Sequence, residues 1–182
     1  MRSQKAALCL ALAGLLLSTS TLVHAQAVVT DDAFVASSTP KTNYGSSIAL
    51  ILIGGSNAYV KFNLANLGAS VTGSDVSMAT AVLYADLVTT SGTMDVYQVA
   101  GPWSEGTITW SSAPVLGAKI LSAVPVSKAG YLSLNVTPTV QEWLNGTLAN
   151  NGIALVPTAG SPLAVSFDSK ENILTSHTAQ LD

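Results

Sequence analysis

The segment "NAYVKFNL", residues 57–64, decides the fold class because apolar and polar side chains alternate along it. One set of side chains is apolar: Ala58, Val60, Phe62 and Leu64. A period of two puts successive side chains on opposite faces of a β-strand, so this segment predicts a strand with one buried face. The turn-forming "GGS" at 54–56 precedes it and predicts a hairpin with "IALILIG" at 48–54.

The same alternation recurs along the rest of the chain. In "MATAVLYADLV", residues 78–88, one face carries four apolar side chains: Ala81, Leu83, Ala85 and Leu87. Further candidate strands are "TMDVYQV", "TITW", "AVPV", "YLSLNV", "GIALV" and "LAVSF". Turn-forming residues separate these segments at intervals of about 8–12 residues, which is typical of a β-sandwich or barrel. The sequence therefore predicts one all-β domain.

One segment has the period of a helix instead. Thr137 is a suitable N-cap, Pro138 fits the first turn, and Gly146 can end the helix. Between them, the apolar residues are spaced at i, i+3 and i+4: Val140, Trp143 and Leu144. This spacing predicts a single short helix near 138–145 that packs one apolar stripe on the sandwich.

The first 25 residues have the composition of a secretory signal. Arg2 and Lys5 precede an apolar run, Ala6–Leu17, and "VHA" at 23–25 offers the small residues that a signal peptidase accepts. The run is too short to span a bilayer, which needs about 20 apolar residues. Cleavage after Ala25 is expected to leave residues 26–182 as one secreted domain without a membrane span.

The charge that remains after this cleavage excludes one class of partner. Residues 26–182 contain no arginine and no cysteine, and their five lysines face ten carboxylates, which gives a net charge of about −5. Nucleic-acid binding requires a basic surface, so a nucleic-acid partner is excluded.

Catalytic chemistry has little support in the residue types present. His177 is the only histidine after residue 25, no thiolate is available, and no Gly-x-Ser-x-Gly motif occurs, which disfavours a zinc site and a nucleophile–histidine pair. His177 has no evident partner near it in the sequence. Paired carboxylates could still support glycoside hydrolysis. The candidates are Asp86, Asp95, Glu105, Glu142, Asp168 and Glu171.

Two groups of residues could bind a ligand, one a calcium ion and the other a sugar, but each also has an ordinary structural explanation. Asp31 and Asp32 could supply carboxylates to a structural calcium ion, although a solvated turn explains "TDDAF" more simply. Sugar binding needs aromatic faces and polar or charged groups. Trp103, beside Gly101 and Pro102, is expected to be exposed, whereas Trp110 is expected to fill the core at the end of a strand.

Several segments together resemble the DNRLRE domain, which is also grouped as carbohydrate-binding module family 96. They are "TPKTNYGSS", "LILIGGSNAYVKFNL", "ATAVLYA", "VYQVAGPWSEGTITWSSAP", "LSLNVTPTVQEWLNG", "NNGIAL" and "VSFDSKEN", and they extend over nearly all of residues 30–181. The resemblance implies a secreted, jelly-roll β-sandwich that binds polysaccharide, with alginate-like acidic glycans among the ligands. It also implies attachment to a larger secreted or cell-surface protein.

These observations lead to a secreted, non-catalytic carbohydrate-binding module as the predicted function. The predicted sugar-binding residues are Tyr44, Lys61, Trp103, Lys170, Glu171 and Asn172. Lys170 and Glu171 are expected to pair within a turn that closes the sandwich, and the final strand, near "AQLD", is expected to be short or truncated. The alternatives are a structural or adhesive surface module without glycan specificity and, less favoured, a small polysaccharide-cleaving enzyme.

Overall fold

The computed structural model describes residues 25–182 as two antiparallel β-sheets packed face to face. The predicted secretory leader, apart from Ala25, lies outside the described residues. The ten strands of the described part are β1 (Ala27–Ala36), β2 (Ala49–Ile53), β3 (Ser56–Phe62), β4 (Thr80–Thr90), β5 (Gly92–Val99), β6 (Leu116–Val126), β7 (Gly130–Asn135), β8 (Ile153–Pro157), β9 (Ala164–Asp168) and β10 (Gln180–Leu181).

The two sheets are built from strands that are distant in sequence. Sheet 1 has the order β2-β9-β4-β7, and the two-residue strand β10 pairs with β4 and with the start of β1. Sheet 2 has the order β1-β3-β8-β5-β6. Every pairing is antiparallel, and such crossing connections are characteristic of Greek-key sandwiches and jelly rolls. The predicted fold class is therefore confirmed.

The predicted hairpin between residues 48–54 and 57–64 is wrong. β2 pairs with β9 in sheet 1, whereas β3 pairs with β1 and β8 in sheet 2. Gly55, with φ of +84°, turns the chain between the sheets, and Ser56 Oγ accepts the Ile53 amide at 2.8 Å. The turn crosses between sheets because β2 and β3 each have an apolar face, and both faces can be buried only when the strands face each other across the core.

The main core lies between the sheets and contains the apolar set of β3, with Ala58, Val60 and Phe62 fully buried. From β4, Ala81, Leu83 and Ala85 point into it as predicted. Leu87 does not: it is 58% exposed, because the register of β4 against β9 shifts between Ala85 and Leu87. A β-bulge of this kind reverses the face on which the following side chain lies, and sequence alternation alone does not reveal it.

A smaller apolar cluster covers the outer face of sheet 2. Tyr59 is buried there, because the segment 100–115 folds over the sheet and brings Ile108 and Trp103 against it. "TITW" is consequently not a strand, and Trp110 instead begins a short 3₁₀ turn and is 36% exposed. The expected roles of the two tryptophans are therefore reversed, since Trp103 is half-buried and its Nε1 donates to the Asn151 carbonyl at 2.8 Å.

The predicted helix is present as α1, Thr137–Leu144. Val140 and Trp143 are buried and Leu144 packs against the core, so the apolar stripe is confirmed. Thr137 is not the N-cap, because the helix begins there and Val136 occupies the cap position. The Thr137 hydroxyl instead accepts the Ala79 amide at 2.8 Å and ties the helix to the start of β4. Gly146, with φ of +69°, follows the C-cap as expected.

Candidate functional site

Charged side chains gather at one rim of the sandwich, where β1, the segment after β5 and the turn after β9 meet. This group, here called the rim cluster, consists of Asp31, Asp32, Lys61, Glu105, Lys170 and Glu171. It joins three of the predicted sugar-binding residues with both of the predicted calcium ligands. The cluster extends from Asp31 and Lys61, on the outer face of sheet 2, to Asp32, which is buried at the end of the core.

Asp31 and Asp32 point to opposite faces of β1. Asp31 lies on the outer face opposite Lys61, and the two side chains form an ion pair of 3.0 Å. Burial alone would raise the pKa of Asp31, but hydrogen bonds from Lys61, Thr30 and the Glu105 amide, together with the Lys61 charge, hold it below its usual value. Asp31 therefore already has its cation.

Lys61 is engaged on two further sides. Its ammonium donates to the Trp103 carbonyl at 3.1 Å and lies 4.9 Å from the centre of the Trp103 ring. A cation at this distance from an indole face is attracted by the ring quadrupole. The Lys61 and Trp103 side chains thus contact each other, and each is also held by another residue: Lys61 by Asp31 and Trp103 by Asn151.

Asp32 faces the core side of β1 and is only 1% exposed. Its Oδ2 accepts the Lys170 amide at 2.8 Å, whereas its Oδ1 has no hydrogen-bond partner among residues 25–182. Burial is the main cause that raises the pKa of Asp32 to about 8. The Lys170 amide opposes this shift, and the nearby charges of Glu171 and Glu105 add to it.

Glu105 and Glu171 complete a carboxylate triad with Asp32. One carboxylate oxygen of each residue lies within 4.8 Å of those of the other two. Glu105 Oε1 accepts the Asp32 amide at 3.0 Å, and Lys170 Nζ lies 2.8 Å from Glu105 Oε2. Lys170 also pairs with Glu171, so the predicted pair of neighbours is confirmed. Desolvation lowers the pKa of Lys170, but the two carboxylates outweigh it and raise the pKa above its ordinary value.

The position of Glu105 is fixed by the loop that precedes β2. Asn43 Nδ2 donates to the carbonyls of Glu105 and Ile108, each at 2.7 Å. At Gly45, a Cβ would lie 2.2 Å from the Glu105 carbonyl oxygen, so only glycine permits this approach. The "TNYG" part of the chain therefore holds Glu105 over β1. It does not present a free loop to solvent.

The turn after β9 is organised by Asp168. Its Oδ1 accepts Asn172 Nδ2 at 2.9 Å, and its Oδ2 accepts the Thr175 hydroxyl at 2.6 Å. His177 Nδ1 lies 3.1 Å from the same Oδ2. The expectation that His177 lacks a partner is therefore wrong. Asn172 is buried, and its Oδ1 accepts the Leu174 amide at 3.0 Å, so this side chain holds the turn together.

An aromatic group, here called the aromatic face, lies on the outer side of sheet 1. It consists of Tyr84, Tyr131 and His177. Tyr84 and Tyr131 are opposite each other on β4 and β7, with ring centres 5.0 Å apart, and His177 stacks on Tyr84 at 3.9 Å. Tyr131 is 68% exposed. Rings at these distances form stacked and edge-to-face pairs that orient one another, which leaves the Tyr131 ring presented to solvent.

Tyr44, another predicted sugar-binding residue, lies away from the aromatic face. Its ring stacks on Phe34 with centres 4.2 Å apart, and its hydroxyl shares a hydrogen bond of 2.8 Å with Thr39. Together with Ile51, Ile53 and the Gly54–Gly55 turn, it lines a shallow pocket. The side chain is half-buried and helps to close this end of the core.

A second buried aspartate, Asp95 on β5, lies at the opposite side of sheet 2 and has a full set of partners. It receives hydrogen bonds from Lys119 Nζ at 2.6 Å, the Ala123 amide at 2.8 Å and the Thr158 hydroxyl at 2.9 Å. Burial alone would raise the pKa of Asp95, but these partners lower it to about 2. Ala123, whose amide donates to Asp95, has a left-handed backbone conformation with φ of +51°.

The structure thus brings Lys61, Trp103, Lys170 and Glu171 to one rim, and it places Tyr44 and Asn172 in structural contacts. Sequence reasoning missed the aromatic face. The alternation in "VLYAD" and "YLSLN" does place Tyr84 and Tyr131 outward, but only the pairing of β4 with β7 puts them side by side. The triad was missed for the same reason, since its members come from three distant segments.

One family model matches almost the whole described part of the chain. The model of carbohydrate-binding module family 96 matches residues 23–181. The chain belongs to this family. The match to family 96 includes all ten strands, the rim cluster and the aromatic face. No curated protein matches the chain.

As a member of family 96, this domain is a carbohydrate-binding module. Within residues 25–182, no helix is long and apolar enough to cross a membrane.

Proposed function

We propose that this family 96 module is secreted and non-catalytic and that it binds polysaccharide, with acidic, alginate-like glycans as the preferred class. The observation that carries the proposal is the family match over residues 23–181. The aromatic face supplies a surface of the required chemistry, because an exposed ring offers an apolar plane to the C–H side of a sugar.

The aromatic face is the favoured contact surface because its rings are both ordered and accessible. The Tyr131 ring projects from β7 and makes edge-to-face contacts with Tyr84 and His177, and these two rings stack on each other. Asp168 lies against His177 and fixes the orientation of the imidazole. A rigid aromatic platform loses little conformational entropy when it binds a sugar.

One exposed lysine that is close in sequence to this face is free of carboxylate partners in the described part of the chain, unlike the lysines at the rim. Lys61 and Lys170 already contact carboxylates, whereas Lys128 is exposed and forms no ion pair within the described residues 25–182. Lys128 lies in the connection between β6 and β7, three residues before Tyr131. An ammonium beside an aromatic plane is the combination that recognises a uronate.

The predicted rim residues remain a second candidate contact surface. Lys61, Trp103, Lys170 and Glu171 are close to one another but are engaged with protein partners. A ligand that used them would have to displace those partners, which reduces the net gain from each contact. The proposal therefore places the primary contacts on the aromatic face.

Affinity electrophoresis in gels that contain alginate, or a neutral polysaccharide, tests the proposal. The protein is expected to be retarded by alginate, and Tyr131→Ala is expected to abolish most of the retardation. Lys128→Met should weaken retardation by alginate alone. Trp110→Ala, which removes an exposed aromatic residue from the 3₁₀ turn that follows β5, is the matched control and should migrate like the unmodified protein.

Three outcomes would change the proposal. Loss of retardation in Trp103→Ala, with Tyr131→Ala unaffected, would move the site to the rim. Absence of retardation in every polysaccharide would favour the structural or adhesive alternative. Release of reducing ends from the polysaccharide would reveal an enzyme.

The proposed secretion has a separate test. The composition of residues 1–25 supports a cleaved leader. N-terminal sequencing of protein recovered from the culture medium should give Gln26 as the first residue. A product that starts at Met1, or that stays inside the cell, would contradict secretion.

A further inference from the structure

We propose that the carboxylate triad of Asp32, Glu105 and Glu171 binds a divalent cation, with Ca²⁺ as the ion. The site is distinct from the aromatic face and does not depend on which glycan the module recognises. It also differs from the calcium ligands expected from sequence, because Asp31 points away from the triad and pairs with Lys61.

The first argument is the charge balance. Three carboxylates lie within 4.8 Å of one another, and Lys170 is the cation that contacts Glu105 and Glu171. When all three carboxylates are ionised, as they are when they bind a cation, one ammonium leaves about two negative charges at a partly buried site, where their mutual repulsion is screened less than in water. A divalent cation supplies the missing charge.

The second argument is the unpartnered oxygen. Asp32 is almost fully buried, and its Oδ1 accepts no hydrogen bond from any of residues 25–182. A buried carboxylate oxygen without a partner is rare in folded proteins, because its desolvation is not compensated. A cation held between the three carboxylates would compensate it. This observation is independent of the mere proximity of acidic groups.

The third argument is that the ligands are positioned before any ion arrives. Asp32 lies on β1, where it is paired with Val60 of β3. Glu105 is held by Asn43 and by the close approach of Gly45, and the Glu171 amide donates to Ser169 Oγ at 3.2 Å. Fixed ligands reduce the entropic cost of binding the ion.

The chemistry of the ligands selects the ion. All three are carboxylates, which suit a hard cation, and the triad offers no imidazole or thiolate for zinc. Oxygen atoms across a Ca²⁺ shell lie at most about 4.6–5.2 Å apart, twice the metal–oxygen distance, so the spacing fits. Mg²⁺ requires a smaller octahedral shell and keeps most of its water, which suits a preformed set of protein carboxylates less well.

Thermal unfolding of the purified protein with 5 mM CaCl₂ or with EDTA tests the site directly. Calcium is expected to raise Tm by about 3–6 °C over the EDTA sample, as for a site with a dissociation constant of about 0.1–1 mM. Asp32→Asn and Glu171→Gln should lose this shift. Asp86→Asn, which changes an exposed carboxylate on β4, is the matched control and should keep it.

The Lys170→Met variant distinguishes a triad that binds calcium from a triad whose only cation is Lys170. If calcium binds, the variant is destabilised in EDTA and recovers in CaCl₂, because the ion replaces the lost charge. If the lysine is the only cation, calcium does not restore Tm. Equilibrium dialysis against calcium should give one ion per chain, and none for Asp32→Asn. An equal calcium response in Asp32→Asn, or no response in the unmodified protein, would overturn the proposal.

Discussion

Two aspartates of sheet 2 are both almost hidden from solvent but differ in the groups that surround their carboxylates. Asp95 is 5% exposed and is surrounded by hydrogen-bond donors, including the Lys119 ammonium. Asp32 is 1% exposed, has a single donor on one oxygen, and faces two other carboxylates. The pKa of Asp95 is accordingly lowered to about 2, whereas that of Asp32 is raised to about 8.

Asp95 and its hydrogen-bond donors form a completed group, in which both carboxylate oxygens have partners, whereas Asp32 has one oxygen without a partner among the described residues. At Asp95, the fold provides all the partners that an ionised carboxylate needs, and these partners hold the local geometry of β6. At Asp32, the protein supplies negative charge in excess of its own cations. The lysines of both groups are already engaged with carboxylates, which is why we propose the aromatic face of the other sheet as the surface that binds polysaccharide.

The largest expected effect comes from removing the carboxylate of the completed group. Asp95→Ala leaves Lys119, the Ala123 amide and the Thr158 hydroxyl without their acceptor and should lower the free energy of unfolding by about 3 kcal/mol. Urea denaturation measures this change. Asp86→Ala, at an exposed position on β4, should stay within about 0.5 kcal/mol of the unmodified protein. Similar values for the two variants would mean that the Asp95 network contributes nothing.

Acid should weaken the Asp95 group by a smaller amount. Its pKa is about 2 in the folded protein and about 3.8 when unfolded, so its contribution is present above pH 4 and is lost as the pH falls toward 2. With allowance for solvent screening, the loss is about 1–2 kcal/mol. Urea denaturation between pH 5 and pH 2 should show this slope in the unmodified protein and a reduced slope in Asp95→Asn.

Asp32 should respond to pH in the opposite direction when no cation is bound. Its pKa is raised in the folded protein, so its contribution to stability is present below pH 4 and is lost as the pH rises toward 8. In EDTA at pH 8, Asp32→Asn is therefore expected to be more stable than the unmodified protein, by about 1 kcal/mol. A loss of stability in this variant under these conditions would show that the charge of Asp32 is already compensated.

The smallest effect is expected at the lysine of the completed group. The Lys119 side chain is about two-fifths exposed, so Lys119→Met should destabilise the protein less than Asp95→Ala does. The remaining donors still hold the carboxylate. Urea denaturation of the two variants and the double variant gives the coupling energy. A loss as large as that of Asp95→Ala would mean that the ion pair alone carries the network.

The sequence predicts those parts of the fold that depend on local periodicity. The alternation in β3 and in the first part of β4 gives the core-facing side chains correctly, and the spacing of Val140 and Trp143 gives the helix. The alternation does not reveal that the other face of β3 is also covered, which buries Tyr59. The resemblance to family 96 adds the jelly-roll type of the sandwich. Errors arise where a single residue changes the register or the sheet, as at the bulge before Leu87 and at the Gly54–Gly55 turn.

The candidate site is less accessible to sequence because its members are brought together only by tertiary structure. Asp32, Glu105 and Glu171 come from a strand and two distant loops, and their proximity depends on the close approach at Gly45. The pairing of Asp168 with His177 crosses a turn of irregular conformation. The pair of Lys170 and Glu171, by contrast, is adjacent in sequence and was predicted.

We propose that carbohydrate binds to the aromatic face, whereas the side chains of Asp32 and Asp95 contact only protein groups or a cation. A titration of ¹⁵N-labelled protein with oligosaccharides from alginate, followed by NMR, tests it most directly. The amides around Tyr84 and Tyr131 on β4 and β7 should shift in a saturable manner, and those around Asp32 and Asp95 should not. Shifts confined to the residues around Lys61 and Trp103, or no shifts with any oligosaccharide, would contradict the claim.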